Sequence, residues 1–218
     1  MDFNFIIHCL PLFVAAAKLT VTLAFFGIAL SLAVGALCAV ANYYKVPVLK
    51  QLANAYIEIA RNTPLMIQLF FLYFGLPRLG ILLDGKTCAI VGLSFLGGAY
   101  MAEAFRGGLV AVSKTQIEAG LSLGLNRFQL LRHVVFPQAL AVAVPVISAT
   151  AIFLMKETSV FSIVALPDLM YLAKDLLKEG HSAESNFLLV ISYLVIILPV
   201  SLFFSYLERR FRFAGFGS

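Results

Sequence analysis

Six polar residues stand at the edges of long apolar runs: Tyr100 and Glu103, and then Lys156, Glu157, Thr158 and Ser159 in succession. A charge at mid-membrane costs about 2.5–3.5 kcal/mol on insertion scales, so such residues face a bundle interior or an aqueous cavity. They are therefore candidates for lining a polar path, where a solute would be met by charge and hydrogen bonds. The other reading is that they sit at the membrane interface and snorkel to water. Covalent chemistry has no comparable set, since no Ser/His/Asp, Cys/His or paired-carboxylate arrangement emerges. Cys9, Cys38 and Cys88 lie in or beside apolar runs without CxxC spacing and read as small buried hydrophobes. His8, His133 and His181 are too far apart for a ligand pattern. The sequence thus offers no catalytic residue, no metal site and no cofactor held by this chain.

One motif argues otherwise. Gly80 to Thr87, GILLDGKT, fits G-x-x-x-x-G-K-[ST], the pattern of a loop that cradles phosphates with backbone amides. Its context is wrong. The preceding apolar run is too long for a strand, and the following one is long enough to cross a bilayer. Ile81, Leu82 and Leu83 are bulky, and no second, acidic strand follows to hold magnesium. A phosphate-binding enzyme using Gly85, Lys86 and Thr87 is the remote alternative.

The elements that must position these residues follow from composition. The 218 residues are 61% hydrophobic and 12% charged, with a mean hydropathy of +0.97, whereas soluble domains carry about 25% charge. This predicts an all-α integral membrane protein forming a single domain over 1–218. The net charge of +5 comes from cations flanking apolar segments and implies no nucleic-acid partner. Uncharged or nearly uncharged runs predict five spans at about 19–41, 62–83, 87–112, 137–156 and 187–207. Phe3–Ala17 is expected along the membrane surface ahead of the first span, and 42–62 as an amphipathic segment. The start resembles a secretion signal but has no cation before Lys18, so cleavage is not expected. Lys and Arg in 42–62, 105–136 and the C-terminal tail outnumber those elsewhere, which predicts an outer N-terminus and a cytoplasmic C-terminus.

This orientation makes residues 113–136 the main cytoplasmic loop. Ser113 with Gln116, and Asn126 with Gln129, read as helix caps, with a turn near Gly124 between two short helices. Ile117, Gly120, Leu121, Gly124 and Phe128 follow three- and four-residue steps, so the two glycines are expected on one face, open to a partner's backbone. In the long outer loop, Pro167, Asp168 and the stripe Leu169, Leu172, Ala173, Leu176 and Leu177 predict a short helix on the outer membrane face.

These residues resemble a known family: the transmembrane permease subunits of bacterial ABC importers for polar amino acids, of the histidine/glutamine/arginine type. Glu118-Ala119-Gly120, Gly124 and Val134-Val135-Phe136-Pro137 fall at the spacings of its cytoplasmic EAA signature. Gly120, Val134 and Phe136 are small or apolar departures from that signature. Tyr56 through Pro77 resembles the family's YxE…RGTPL…Q…FGLP segment, with Asn62 for its glycine. Tyr100 to Gly108 resembles Y-x-AE-x-FRGG, and Lys156-Glu157-Thr158-Ser159 resembles KDTS. The likeness runs in order along nearly the whole chain. It implies a multi-pass protein of the bacterial inner membrane whose loop couples to an ATPase through Ile117, Glu118, Ala119, Gly120, Leu121, Gly124, Arg127 and Pro137. It further implies a cytoplasmic ATPase dimer that binds ATP and Mg, a second permease subunit, and an extracytoplasmic amino-acid-binding protein. A self-standing amino-acid channel or secondary carrier is the alternative from another class.

Overall fold

A computed structural model describes residues 2–43 and 47–215, with side chains through Phe211; Lys45, counted above among the cytoplasmic cations, lies outside this set. The described residues are mostly helical and contain no strand. Helix α1 runs Phe3–Tyr43, α2 Pro47–Arg61 and α3 Leu65–Phe70, the last continuing through a π turn, Phe71–Gly75, and a 3-10 turn, Leu76–Leu79. Helix α4 spans Gly85–Ala111, α5 Lys114–Ser122 and α6 Arg127–Leu130. A π turn, Leu131–Val135, then leads directly into α7, Phe136–Glu157, which ends in a 3-10 stretch, Thr158–Val164. Helices α8, Leu169–Lys178, and α9, Ser182–Gly215, complete the chain.

Four continuous helical stretches are long and apolar enough to cross a membrane: Phe3–Tyr43, Gly85–Ala111, Arg127–Val164 and Ser182–Phe211. The stretch Leu65–Leu79 is apolar but shorter. Phe3–Ala17 is not a separate surface segment. It forms the first turns of the 41-residue α1, which continues through Pro11 and at 1.5 Å per residue is about 60 Å long. The extension is held because Cys9, Phe13 and Ala16 pack against Leu169, Leu176 and Leu188 of α8 and α9.

The centre of the bundle is the α1–α4 contact. Gly27, Ser31 and Gly35, each one turn apart on α1, meet Leu93, Gly97 and Met101 of α4. Small side chains let two transmembrane backbones approach closely, which in lipid substitutes dispersion and polar contacts for the missing hydrophobic drive. Ser31 also donates to the Gly27 carbonyl at 2.7 Å and Ser94 to the Ile90 carbonyl at 2.5 Å, so neither hydroxyl is stranded. Around this seam Leu65, Leu69, Leu93, Leu154 and Phe161 form the largest core cluster.

Helices α2 and α3 together pack along α4 from Val110 to Gly92. Lys50 and Asn54 lie beside Arg106 and Val110, Ile57 and Ala60 pack on Ala99 and Ala102, and Leu65 and Leu69 face Gly92. At the far end the Leu83 carbonyl reaches the Cys88 thiol.

Candidate functional site

The path of α2 and α3 is interrupted at 62–64. Pro64 has no amide hydrogen to donate and cannot continue α2, so the last carbonyls of that helix need other donors. Side chains supply them. Asn62 Nδ2 donates to the Glu58 carbonyl at 2.8 Å, and Thr63 Oγ1 to the Ile59 carbonyl at 2.8 Å. Buried Gln68 reaches back across the gap, its Nε2 donating to the carbonyls of Ala60 at 3.1 Å and Thr63 at 3.0 Å. Gln68 Oε1 is buried with no hydrogen-bond partner among the described residues.

The break opens a polar cleft of about 380 Å³, lined by Arg61, Asn62, Thr63, Tyr100, Phe153 and Glu157 among others. The Arg61 guanidinium carbon sits 5.4 Å from the centre of the Tyr100 ring, a cation–π arrangement. Tyr100 in turn meets the Phe153 ring edge-on, with centroids 5.4 Å apart. Glu103 lies behind Arg61 at 3.8 Å and accepts two hydrogen bonds from Arg106, at 3.0 and 2.7 Å. One carboxylate is thus shared by two guanidinium groups, which leaves the triad with net positive charge at one wall of the cleft. Glu157 brings a carboxylate to another part of the lining. The cleft therefore offers a cation, a carboxylate and an aromatic face to whatever enters, with no nucleophile activated for chemistry.

The six polar residues marked by the sequence divide three ways. Tyr100 and Glu157 line the cleft, and Glu103 supports it through Arg61. Lys156 and Ser159 open instead into a groove of about 710 Å³ against α9, beside Met170, Tyr193 and Ser201. Thr158 lines nothing: it is fully buried and donates to the Met155 carbonyl at 2.7 Å. Arg61 and Gln68 fall in the sequence only within the resembled segment, as its arginine and glutamine, and are not marked there as site residues. Their signal was the arginine closing an amphipathic helix just before Asn62-Thr63-Pro64.

The loop between α4 and α7 forms the expected helical hairpin. Ser113 Oγ accepts the Gln116 amide at 3.4 Å to start α5. Gly124, at φ +79°, makes the turn, and Asn126 and Gln129 form a reciprocal capping box at 3.0 and 2.9 Å. The glycine face differs from expectation. Gly120 is buried, and a Cβ there would stand 2.5 Å from Leu130 Cδ1, so it serves closure of the hairpin rather than approach from outside. The outward side carries Glu118, Ala119, Leu121, Leu123, Arg127 and Phe128, with Leu123 82% and Phe128 68% exposed. Ile117 is half-buried in the hairpin's own apolar cluster, and Pro137 occupies the first turn of α7.

The phosphate-loop pattern is explained locally. Residues 85–87 are the first turn of α4, and the Asp84 carboxylate caps them by accepting the Thr87 amide at 3.3 Å. That carboxylate takes the place an anion would need. Gly85 is required because a Cβ would strike the Val164 carbonyl.

The described residues thus form an all-helical bundle with a polar cleft and an exposed loop hairpin. The family described as binding-protein-dependent transport system inner membrane component matches residues 31–213, and the chain belongs to it. Relatives include a probable amino-acid ABC transporter permease, PatM of Vibrio harveyi, 34% identical over 200 residues, with 90% of this chain and 87% of that one covered. The glutamine transport system permease GlnP of Escherichia coli K12 is 32% identical over 214 residues, covering 97% and 98%. A crystal structure of an amino acid ABC transporter with histidines superposes with a TM-score of 0.89 at 30% identity, covering 96% of this chain and 99% of that one. The inward-facing MetNI methionine ABC transporter shares the fold, with a TM-score of 0.73 at 21% identity and 97% and 99% coverage. The chain is therefore a multi-pass inner-membrane permease subunit of a binding-protein-dependent importer.

Proposed function

We propose that this permease carries polar or charged amino acids inward, with the cleft at the α2–α3 break as part of their path. The observation that carries the reading is the cleft itself, where Arg61 and Glu157 share a lining with Tyr100. A zwitterion bears one carboxylate and one ammonium, and these two side chains offer each a partner. Broken helices at membrane depth are tolerated where their backbone lines a polar cavity, and substrate sites of transporters often use them. On this reading α2, α3 and the turns through Leu79 jointly make a fifth crossing, with the N-terminus outside and the C-terminus in the cytoplasm.

Energy comes from a separate cytoplasmic ATPase dimer that binds ATP and Mg. The hairpin docks on it through exposed Leu121, Leu123 and Phe128, flanked by Glu118 and Arg127. A second permease subunit completes the pore, and an extracytoplasmic binding protein delivers the amino acid. Closing and opening of the ATPase pair moves the hairpins and switches the path between its two openings.

Proteoliposomes holding the permease, its ATPase and its binding protein test this. Uptake of a polar amino acid is expected only with ATP inside and an active ATPase. Arg61→Met should lower uptake roughly tenfold or more, the loss expected for a charged hydrogen bond. Leu123→Asp should release the ATPase while the permease remains folded. Uptake without any ATPase would make the protein a channel or secondary carrier instead.

A further inference from the structure

We propose that the chain binds one anionic phospholipid in a site at the hairpin end of the bundle. Two cavities there run into each other. The first, of about 290 Å³, is an apolar groove between α1, α4 and α7. Ala36, Ala39, Val40 and Tyr43 form one wall, at the three- and four-residue steps of a single helix face. Leu109 and Ala143 contribute to the others, and among the described residues no charged side chain lines it.

The second cavity, of about 270 Å³, shares Ala39, Tyr43 and Leu109 with the first. Besides Val110, its remaining lining is polar and cationic: Asn42, Lys50, Asn54 and Arg106. Lys50 and Asn54 are one turn apart on α2 and exposed. Arg106 gives Nε and Nη2 to Glu103, which leaves Nη1 for another acceptor. Because Glu103 also faces Arg61, that one carboxylate does not neutralise both arginines. No acidic residue lines this cavity.

An apolar groove opening onto a cationic pocket matches a molecule with an acyl chain and a phosphate. The wall from Ala36 to Tyr43 covers about 10 Å along α1 and ends with the helix itself. A free anion or amino acid would leave the groove empty. An apolar protein helix would press Lys50 and Arg106 against hydrocarbon without a counter-charge. A phospholipid fills the groove with its chain and sets its phosphate on Lys50, Arg106 and the two asparagines. Basic pockets between transmembrane helices hold anionic headgroups in this way. The assignment to the cytoplasmic leaflet rests on the orientation proposed above; the site does not.

Native mass spectrometry of the full chain, purified with the subunits that accompany it, tests the site. Phosphatidylglycerol and phosphatidylcholine with matched chains serve as probes. One tightly retained phosphatidylglycerol per permease is expected, favoured over phosphatidylcholine. Lys50→Gln should weaken phosphatidylglycerol roughly fivefold without changing phosphatidylcholine, and Lys50→Arg should restore it. Ala36→Phe, which fills the groove, should remove both. Equal retention of the two lipids, indifferent to Lys50→Gln, would overturn the proposal. So would a wild-type protein free of lipid in which Ala36→Phe expels a partner subunit, since the groove would then belong to protein. None of these readouts involves uptake, so failure here leaves the transport reading standing.

Discussion

Glycine shows at single-residue scale how this bundle is specified. Gly35 and Gly107 are both helical, yet their surroundings differ completely. A Cβ at Gly35 would lie 2.5 Å from Met101 Cβ and 2.8 Å from the Ala102 backbone nitrogen, and backbone cannot yield by changing rotamer. At Gly107 a Cβ meets nothing within 4 Å. Gly35→Ala should therefore destabilise by about 1–3 kcal/mol through overpacking of the α1–α4 seam. Gly107→Ala should stabilise by about 0.5–1 kcal/mol by removing backbone freedom from the unfolded chain. Thermal unfolding in a single detergent checks both, and an equal response would show that the seam is not tight. Ser94, Gly97 and Gly98 stand out in the α4 sequence as small residues that leave room for a neighbouring helix, whereas the matching stripe Gly27, Ser31 and Gly35 does not stand out on α1. Helix α1 is apolar on every side, so its pattern cannot say which face turns inward. Arg61 was legible as a residue before Asn62-Thr63-Pro64 but not in its role: only the α2–α3 break brings it over Tyr100, and periodicity does not show breaks.

Among elements, the short helices were the most readable because their caps are local chemistry. The hairpin, with its turn at Gly124 and its second capping box, follows from residues within a few positions of one another. Which way Gly120 points does not, since that depends on Leu130 folding back over it. Helix α8 behaves similarly. Its apolar stripe and its start near Pro167 and Asp168 were visible, whereas the role of Asp168 as a deeply buried N-cap, with Pro167 outside the helix, was not. Asp168 is fully buried, with Oδ1 accepting the Tyr171 amide at 2.9 Å and Oδ2 unpaired among the described residues. Burial pushes its carboxyl up to about 6, against the smaller opposing pull of the Tyr171 and Met170 amides and Lys174. Tyr193 is another polar neighbour, and Thr20 Oγ1 accepts the adjacent Leu169 amide at 3.4 Å. The native state then holds this proton more tightly than the unfolded chain does. Its contribution is complete where both states are protonated, below about 4, and is lost as pH rises through about 6. Amides of α8 should accordingly open on the order of tenfold less often near pH 5 than near pH 7.5, once intrinsic exchange is corrected. Asp168→Asn keeps a good cap and should flatten the difference. A wild-type profile already flat would mean that the carboxyl is ionised throughout.

At the scale of the whole molecule, the number of crossings turns on how α2 and α3 are counted. Four stretches cross by length alone, and Leu65–Leu79 is too short to join them unaided; at 1.5 Å per residue its 15 residues give about 22 Å against the roughly 30 Å of hydrocarbon. Taken together, however, α2 and α3 accompany α4 from Val110 to Gly92, most of the length of a helix long and apolar enough to cross. Charge agrees with a crossing there. Lys50 lies on the side of the hairpin cations, while Lys86 lies at the opposite end of α4. The count fixes a parity that can be measured. With a crossing between them, single cysteines at Val48 and Leu82, both exposed, must react with an impermeant maleimide from opposite sides of the membrane. Without one, they react from the same side. In a background lacking Cys9, Cys38 and Cys88, the expectation is labelling at Leu82→Cys in intact cells and at Val48→Cys only in inverted vesicles. Labelling of both positions in intact cells would remove the fifth crossing and, with it, the reason to place the polar cleft at membrane depth. Arg61 and Glu157 would then sit at a surface, where water meets their charges and no solute path is needed to explain them.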